Sequence, residues 1–490
     1  MIRRIFFILP AAVLLLIVSD ARGIRPKDQA VTWADFNYIS SVASSMTHVY
    51  FATPGGIIRY NKLESRWELP LTGAEGMENE QPARVWVEHF DDYLYVRTGS
   101  GLYEYNRLFD RWYPINELPD IESDNEHIAT PQDLIPSTSL NFVESQSVVD
   151  PYNRTYPIVD VLDDQSGDLW IGTWGYGAGV AGSSARLLEL LPYGLVQNQV
   201  NTLYRDDSLL WIAGWMGNSY RTGLTAFNVN DNSFAYLESG VQGSFPASDI
   251  YCLEGDSVAL YIGTADGLYV ADLQRWQVVE RFGRRQGLSD FEILALEKRH
   301  DSLFVGTGRG LDLIDLATDS IGHVYANQFG GRLIYDLEVI GDFLWIGSDI
   351  GAYRLSLVEG NLQRFDDPHG VLFARVYDIE SYGNKVWFAS DDGLLSLDMS
   401  SGETVPFRDF TRRAGGRALA VNDRIAAAAS DRGMTLIFLD RRDRFSREFT
   451  TDDGLASSTV NALLLDGDYI WVGTDLGLTR FFWNNPDRID

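Results

Sequence analysis

The chain has 490 residues, of which 45% are hydrophobic and 13% aromatic, so it can bury a large core and lacks the composition of a disordered protein. Its formal net charge is −29 at pH 7, and a chain this acidic repels phosphate backbones and anionic lipid surfaces, which excludes nucleic acid as an expected partner. Its single cysteine, Cys252, excludes an intramolecular disulfide.

The first predicted element is a leader at residues 1–21. It has a basic start at residues 3–4, an apolar stretch over residues 5–18, and the small residues Ser19 and Ala21 before a plausible cleavage point. This is the pattern of a signal peptide, so we expect an exported protein in the periplasm, at the cell surface or outside the cell. The apolar stretch is short for a spanning helix, although an uncleaved anchor is the alternative. After removal of the leader we expect no membrane-spanning segment.

A repeated motif covers residues 31–483. Each copy has an apolar run with an aromatic residue, then a small residue, Thr or Ser, a short turn and a glycine before the next apolar run. A period near 42 residues with strand-like alternation is the spacing of one four-stranded propeller blade. We therefore predict an all-β fold, a β-propeller of about ten four-stranded blades. The aromatic position of the ten copies is occupied by Tyr50, Tyr95, Trp170, Trp211, Tyr261, Phe304, Trp345, Trp387, Ala427 and Trp471.

The sixth copy contains a glycine-rich segment, residues 306–310, that superficially suggests a nucleotide site. The dinucleotide fingerprint is G-x-G-x-x-G at the start of a helix, with an acidic residue about 20 positions later. Here the glycines alternate, a strand follows, and Asp315 lies too close. We interpret Gly306 as a position where neighbouring sheets pack closely, and Gly310 as the left-handed end of a hairpin turn. No cofactor is expected.

The two ends of the repeat region complement each other. The last copy ends near residue 483 without a fourth strand, whereas residues 31–36, "VTWADF", resemble an orphan fourth strand through Trp33 and Phe36. We therefore expect the N-terminal strand to complete the last blade, and we favour one ring of all ten blades. Two smaller rings or an unclosed copy are the alternatives, because ten exceeds the usual 4–8 blades.

Residues 454–481 resemble the two-component-regulator propeller repeat, and similar halves occur at residues 194–214 and 287–307. The resemblance covers nearly all of residues 31–483 and implies a β-propeller fold without shared catalytic residues. The best-known members form periplasmic sensor regions that feed a histidine kinase, often in saccharide sensing, and related repeats occur in bacterial surface and secretion-associated proteins. Few residues follow Gly477, so the implied partner is a separately encoded sensor kinase or a secretion component.

Three segments depart from the repeat: a polar, acidic insertion at 114–155, expected as a loop, and widened turns at 173–182 and 214–223. In a four-stranded meander all three belong to the same face of adjacent blades. Exposed aromatic rings beside an amide and an arginine suit stacking and hydrogen bonding to a sugar ring or a peptide segment. The alternative is a structural patch in which these rings pack beneath the insertion. The candidate ligand-binding residues are Trp174, Tyr176, Trp215, Asn218, Tyr220 and Arg221.

Motifs for catalysis and metal binding are missing from the sequence. The six histidines show no metal-ligand spacing, and nothing selects a carboxylate pair for glycoside cleavage. We therefore expect an exported, non-catalytic propeller that binds a saccharide or a protein partner, with no metal site. One alternative is a propeller enzyme, such as a glycan lyase or hydrolase, although the first strands of the blades offer few groups for a central active site. The other is a purely structural scaffold.

Overall fold

The computed structural model describes residues 30–77, 81–121, 126–128, 133–137, 140–143, 146–164, 166–182, 184–217, 219, 221–241, 244–407, 418–430, 432–440 and 446–485. The predicted leader lies outside these residues. The described chain is all-β apart from a few short helices. One α-helix spans Ala326–Phe329, and single-turn 3₁₀ helices span Gly73–Glu75, Val371–Phe373 and Thr451–Asp453. None of its helices has the length and apolar character needed to cross a bilayer.

Ten antiparallel sheets, numbered 1 to 10 along the chain, contain all the named strands of the described residues. Each has four strands except sheet 3, which has seven. Sheet 1 comprises Ser41–Ser44, His48–Thr53, Gly56–Asn61 and Arg66–Trp67. Sheet 2 comprises Arg84–Val87, Leu94–Arg97, Leu102–Asn106 and Arg111–Ile115. Sheet 3 comprises Glu126–His127, Asn141–Val143, Ser147–Val149, Thr155–Asp163, Leu169–Thr173, Ala178–Ala181 and Leu188–Leu191.

The remaining seven sheets follow in chain order. Sheet 4 comprises Thr202–Asp206, Leu209–Ala213, Gly223–Asn228 and Ser233–Glu238; sheet 5 comprises Ile250–Gly255, Ala259–Thr264, Gly267–Asp272 and Gln277–Phe282. Sheet 6 comprises Ile293–Arg299, Ser302–Thr307, Gly310–Asp315 and Ser320–Val324; sheet 7 comprises Ile334–Ile340, Phe343–Ser348, Gly351–Ser356 and Leu362–Arg364. Sheet 8 comprises Val376–Tyr382, Lys385–Ser390, Gly393–Asp398 and Thr404–Phe407; sheet 9 comprises Leu419–Val421, Ile425–Ser430, Gly433–Phe438 and Ser446–Phe449. Sheet 10 comprises Ala30–Trp33, Val460–Asp466, Tyr469–Thr474 and Gly477–Phe482.

In each sheet the strand that precedes the repeated motif is here called the first strand; it is Thr155–Asp163 in sheet 3 and Val460–Asp466 in sheet 10. The motif forms the second strand and the turn after it. In sheet 6 the Thr307 hydroxyl donates to the carbonyl oxygen of Gly310 at 2.9 Å, and Gly310 has a φ of 152°. A Cβ on Gly306 would lie 2.8 Å from Cγ2 of Ile334 in sheet 7. The interpretation of these glycines as packing and turn residues is therefore confirmed, because a side chain at Gly306 would push the two sheets apart.

The N-terminal strand completes the last sheet, as expected. Ala30–Trp33 pairs antiparallel with Gly477–Phe482, and Trp33 lies opposite Leu478. The strand ends at Trp33, so Phe36, which was expected within it, lies in the connection to sheet 1.

The contacts between sheets differ from the single ring of ten that we favoured. The first strands of sheets 4 to 10 contact one another in chain order, and the first strand of sheet 10 contacts that of sheet 4. Val200, at the entry to sheet 4, donates its N–H to the carbonyl oxygen of Thr474 in sheet 10 at 2.8 Å. It also fills the space beside Gly473, where an added Cβ would be 2.6 Å from Val200 Cγ1. Sheet 10 therefore packs on sheet 4 in the way that sheet 6 packs on sheet 7.

Sheets 1 to 3 are here called the three-sheet group, and sheets 4 to 10 the seven-sheet group. Within the three-sheet group the first strand of sheet 1 contacts the first strands of both sheet 2 and sheet 3. The N–H of Val42 in sheet 1 donates to the Asp160 carboxylate of sheet 3 at 2.8 Å. The chain passes from the strand at 30–33 into the three-sheet group and returns from it to sheet 4, which is why the ten sheets do not pack in strict succession.

An aromatic junction joins the two groups. Tyr193, in the returning connection, lies between Trp67 of sheet 1, at 4.8 Å between ring centroids, and Phe234 of sheet 4, at 5.2 Å. Trp33 lies 5.1 Å from Phe227 of sheet 4 and 5.8 Å from Trp471 of sheet 10. Aromatic side chains bury large apolar areas and gain further from tilted contacts, so this junction packs the two groups firmly together.

The insertion at 114–155, expected as a loop, adds strands to sheet 3. Ser147–Val149 pairs with the beginning of Thr155–Asp163 and with Asn141–Val143, while Glu126–His127 pairs with the end of Thr155–Asp163. Apolar side chains of the insertion are buried against this sheet, among them Leu140 and Val148. The described residues at 126–128, 133–137, 140–143 and 146–155 are therefore largely part of the packed structure of sheet 3.

Candidate functional site at the junction

Trp174 stands on a turn that is fixed by backbone hydrogen bonds. Its N–H donates to Pro157 O at 2.9 Å, and the N–H of Gly175 donates to Asn37 O at 2.8 Å. The indole packs edge-to-face against Tyr38 at 5.3 Å and is 38% exposed. The turn thus presents a rigid, partly exposed aromatic ring.

Trp215 occupies the corresponding turn of sheet 4 and is 37% exposed. The backbone on either side of it is held against the entry to sheet 5: Met216 N–H donates to Asp249 Oδ1 at 3.0 Å, and Gly214 O accepts from Ile250 N–H at 3.1 Å. Trp215 is therefore a second partly exposed tryptophan on a turn whose flanking backbone is fixed. The other two candidates of this turn, Asn218 and Tyr220, lie outside the described residues.

Tyr176 and Arg221 come together beneath the surface. Arg221 is only 7% exposed, and its guanidinium carbon lies 4.8 Å from the ring centroid of Tyr176 and 5.0 Å from that of Tyr236. Its Nη2 donates to Glu238 Oε1 at 2.7 Å. The arginine is thus engaged inside the protein, and it supports the turn instead of presenting a free charge at the surface.

A buried polar network, here called the polar seam, connects Arg221 to the insertion. Glu238 also accepts from Arg154 Nη2 at 2.7 Å, and Arg154 Nε donates to Asp150 at 2.6 Å. Burial alone would raise the pKa of Glu238, but the two guanidiniums outweigh that effect and lower it. The polar seam of Asp150, Arg154, Arg221 and Glu238 therefore ties the end of the insertion to the turn of sheet 4, which brings the predicted departures together.

The two connections between the groups are bonded to each other at Asp35. The Asn37 side-chain amide donates to Asp35 Oδ1 at 2.6 Å, and the Ser219 hydroxyl donates to Oδ2 at 3.3 Å. The Asp35 N–H donates to Asn198 Oδ1 at 2.6 Å. Burial raises the pKa of Asp35 to about 6, although its hydrogen bonds and Arg221 oppose the shift. Asp35 therefore belongs to the support of the junction.

Sequence reasoning missed a group of carboxyls on the first strands of sheets 5 to 8. They sit at two positions with one residue between them, so they share one face of each strand. Burial raises the pKa of each, to about 7 for Glu254 and about 9 for Glu297. The signal that could have revealed them is the D-x-E pattern that recurs at 336–338 and 378–380. These first-strand carboxyls are Glu254, Glu297, Asp336, Glu338, Asp378 and Glu380.

Three of these carboxyls accept hydrogen bonds from the backbone of the next sheet. Asp336 accepts from Ile379 N–H at 2.6 Å, and Asp378 accepts from Leu419 N–H at 2.7 Å. Glu297 Oε1 accepts in the same way from the N–H of Val339, at 2.8 Å. The carboxyls thus tie consecutive sheets together. Among the described residues, no group of three or more His, Cys, Asp or Glu side chains is arranged to hold a metal ion.

The described residues define an all-β protein of repeated four-stranded antiparallel sheets, consistent with a β-propeller. No protein-family model matches the chain, and no curated protein sequence matches it either. The resemblance to the two-component-regulator repeat therefore stays an expectation.

Solved structures resemble this fold at low sequence identity. PorZ of Porphyromonas gingivalis, a bacterial surface component of the type-IX secretion system, aligns with a TM-score of 0.50 and 13% identity over 91% of this chain and 68% of PorZ. The extracellular domain of BT4673 from B. thetaiotaomicron, assigned to a hybrid two-component system, aligns with a TM-score of 0.49 and 13% identity over 92% and 70% of the two chains. The extracellular domain of BT3049, from the same organism, aligns with a TM-score of 0.48 and 16% identity over 92% of this chain and 68% of that domain. At this identity the likeness concerns the fold alone.

Proposed function

We propose that this chain is an exported, non-catalytic binding protein that engages its partner through the surface around Trp174 and Trp215. The observation that carries the proposal is that two tryptophans stand on turns held by hydrogen bonds of the backbone and yet remain more than one-third exposed, at 38% and 37%. Tryptophans on a rigid, well-supported base are typical of binding hot spots. A protein segment fits this surface best, because the neighbouring arginine is engaged internally and the rings offer apolar anchors.

A saccharide is the second candidate ligand for the same surface. The Trp174 ring is packed by its contact with Tyr38 at an interplanar angle of 75°, which fixes the orientation of the indole. A fixed, partly exposed aromatic face can stack on the apolar face of a sugar ring.

The proposed architecture is a closed ring of sheets 4 to 10 with the three-sheet group attached through the aromatic junction. Support comes from the packing of sheet 10 on sheet 4 and from the ion pair between Arg205 Nη1 and Asp466 Oδ2 at 2.9 Å, which joins the first strands of these two sheets. In this arrangement Trp174 and Trp215 belong to different groups, so the binding surface spans their junction.

Export is proposed from the leader pattern of residues 1–21. PorZ and the two B. thetaiotaomicron domains, which share features of the fold, are surface or extracellular proteins. The partner we propose is accordingly a component of an extracytoplasmic sensing or secretion assembly, such as a separately encoded sensor kinase.

An enzyme is a further candidate, because a buried carboxyl with a pKa near 7, such as Glu254, has the property of a general acid. The hydrogen bonds from neighbouring sheets to Glu297, Asp336 and Asp378 favour a structural role for the group as a whole. Hydrolysis of a glycan library that is lost in Glu254→Gln would support the enzyme.

A binding experiment with a double variant tests the proposed function. Full-length mature protein is used to capture partners from an envelope extract of the source cells and to probe a glycan array. Trp174→Ala/Trp215→Ala is expected to lose at least about tenfold in affinity for the captured partner. Phe291→Ala/Tyr382→Ala, which removes two other exposed aromatic rings, is the matched control and should bind normally.

The outcomes separate the alternatives. Binding to a protein favours the first ligand, and binding to the array favours the second. Unchanged binding by the tryptophan variant would contradict the site. No binding by the wild type on either platform would contradict the function and favour a purely structural scaffold.

A further inference from the structure

A polar pocket of about 200 Å³ lies between sheets 1 and 2. His48 and Tyr50 line it from the second strand of sheet 1, and Tyr105 and Arg107 line it from the end of the third strand of sheet 2. These residues are near the first and third turns of their sheets, whereas Trp174 is on the second turn of sheet 3, at the other end of the strands. Pockets for drug-sized ligands measure roughly 300–1,000 Å³, so this pocket suits a ligand with a single ring.

His48 is held as a cation at one wall of the pocket. Its Nδ1 lies 3.4 Å from Asp92 Oδ2, and its Nε2 lies 3.1 Å from Glu68 Oε1. Hydrogen bonding to these two carboxylates raises the pKa of His48 to about 9, against the effect of burial. The imidazole is therefore protonated on both nitrogens and positively charged at neutral pH.

Two arginines share the same carboxylates. Arg59 Nε lies 3.3 Å from Glu68 Oε2, and Arg107 Nη2 lies 2.9 Å from Asp92 Oδ2. Together with His48 they make three cationic side chains, which face the three carboxylates of Glu68, Asp92 and Asp110 around the pocket, so the charges of the wall balance. The side chain of Arg107 is 47% exposed, so it stands at the mouth of the pocket, where an incoming anion meets it first.

The rest of the wall can both donate and accept hydrogen bonds. Burial raises the pKa of Tyr50 to about 12 and raises that of Tyr105 as well, so both phenols keep their protons. The Tyr105 hydroxyl donates to Asp110, which is also part of the wall. Phenols and carboxylates side by side match a ligand with several hydroxyl groups, because each hydroxyl donates one hydrogen bond and accepts others.

We propose that this pocket binds a sugar acid, which is a one-ring polyol carrying a carboxylate. The ligand carboxylate pairs with the Arg107 guanidinium at the mouth, where planar forks of donors and acceptors match. The ligand hydroxyls bond to the Glu68 carboxylate and to the Tyr50 and Tyr105 phenols. The inference goes beyond the proposed function and is independent of it, since the pocket shares no residue with the Trp174 and Trp215 surface.

Isothermal titration calorimetry on the full mature chain tests this proposal with three probes. Galacturonate carries both features of the proposed ligand, galactose has the hydroxyls alone, and acetate has the carboxylate alone. Galacturonate is expected to bind, and galactose and acetate to bind at least about tenfold more weakly. Arg107→Gln should weaken the binding of galacturonate by at least about tenfold. Arg281→Gln, which removes a partly exposed arginine paired with Asp266 at 2.9 Å on sheet 5, should leave it unchanged.

Three results would overturn the proposal: no binding of galacturonate, binding of galactose as tight as that of galacturonate, or unchanged affinity in Arg107→Gln. If Arg107→Gln does not fold, Tyr105→Phe decides, since it removes one hydroxyl and keeps the ring. A folded Tyr105→Phe protein should bind galacturonate several times more weakly, and normal affinity would overturn the proposal. Trp174→Ala/Trp215→Ala should bind galacturonate normally, which separates this pocket from the proposed partner surface.

Discussion

The seven-sheet group and the three-sheet group are built from the same repeat but use their polar residues differently. In sheets 6 to 8 buried carboxyls such as Asp336 and Asp378 accept hydrogen bonds from the backbone of the next sheet. In sheets 1 and 2 the carboxylates of Glu68 and Asp92 pair with arginine and histidine side chains around a pocket. Sheets 6 to 8 thus use these carboxyls to hold neighbouring sheets together, whereas sheets 1 and 2 use theirs to position charged side chains around a pocket.

The largest expected effect comes from breaking the aromatic packing of sheet 10 on sheet 4. Trp33 is fully buried between sheets 4 and 10 and contacts both Phe227 and Trp471. Trp33→Ala should lower the free energy of unfolding by about 3–5 kcal/mol, measured by urea denaturation, because it leaves a large cavity. A loss below about 1 kcal/mol would contradict the tight packing of sheet 10 on sheet 4.

Arg221→Ala should have the next largest effect, because it removes one member of the polar seam. Glu238 keeps its ion pair with Arg154 at 2.7 Å. We therefore expect the free energy of unfolding to fall by about 3 kcal/mol, the lower end of the range for a broken buried ion pair. Arg275→Ala is the control, since its pair with Asp272 is exposed to solvent and should contribute little to stability. Equal losses in the two variants would show that the seam is not a buried support.

Two glycine substitutions compare the packing of the groups directly. Gly306→Ala in the seven-sheet group would place a Cβ 2.8 Å from Ile334, and we expect a loss of about 1–3 kcal/mol from overpacking. Gly101→Ala in sheet 2 meets nothing within 4 Å and should be nearly neutral. Thermal denaturation measures both, and a neutral Gly306→Ala would contradict the tight packing of sheet 6 on sheet 7.

The seven-sheet group should also make stability depend on pH. The folded-state pKa of Glu254 is about 7 and that of Glu297 about 9, both raised by burial above unfolded values of about 4.3. Their contribution to stability is complete below the unfolded pKa and is lost as pH rises through the folded pKa. The free energy of unfolding should therefore fall between about pH 5 and pH 9.

The variant Glu254→Gln/Glu297→Gln isolates this effect, because glutamine keeps a hydrogen-bond acceptor and does not titrate. His48, whose raised pKa of about 9 also makes stability fall at alkaline pH, is present in both proteins and cancels in the comparison. The variant should show a flatter pH profile than the wild type. Identical slopes would mean that the first-strand carboxyls are ionised throughout this range.

The sequence predicts the individual sheets well and their arrangement poorly, for a physical reason. The second strand and its turn are encoded locally, as in Thr307 and Gly310, and the unpaired ends of the repeat region predict the strand at 30–33. Which sheets become neighbours depends on the residue that packs beside each glycine. Val200 beside Gly473 and Ile334 beside Gly306 are both β-branched and apolar, so their identity does not distinguish one neighbouring sheet from another.

The candidate site was predicted in part. The exposed tryptophans could be located because their turns depart from the repeat. The burial of Arg221 could not, since its partners Glu238 and Arg154 come from different strands and are recognisable only once the sheets are packed. The pocket between sheets 1 and 2 has no local pattern, because its residues are spread from His48 to Asp110 over two sheets.

Cysteine cross-linking tests the proposed arrangement of a seven-sheet ring with three sheets attached most directly. In a Cys252→Ala background, Arg205→Cys/Asp466→Cys joins the ends of the first strands of sheets 4 and 10, whose native side chains pair at 2.9 Å. Met46→Cys/Asp466→Cys is the comparison, because a single ring of ten would place sheet 1 beside sheet 10. We predict that a short bismaleimide links the 205–466 pair within one chain, as seen by mass spectrometry. A link between 46 and 466, with none between 205 and 466, would contradict the account.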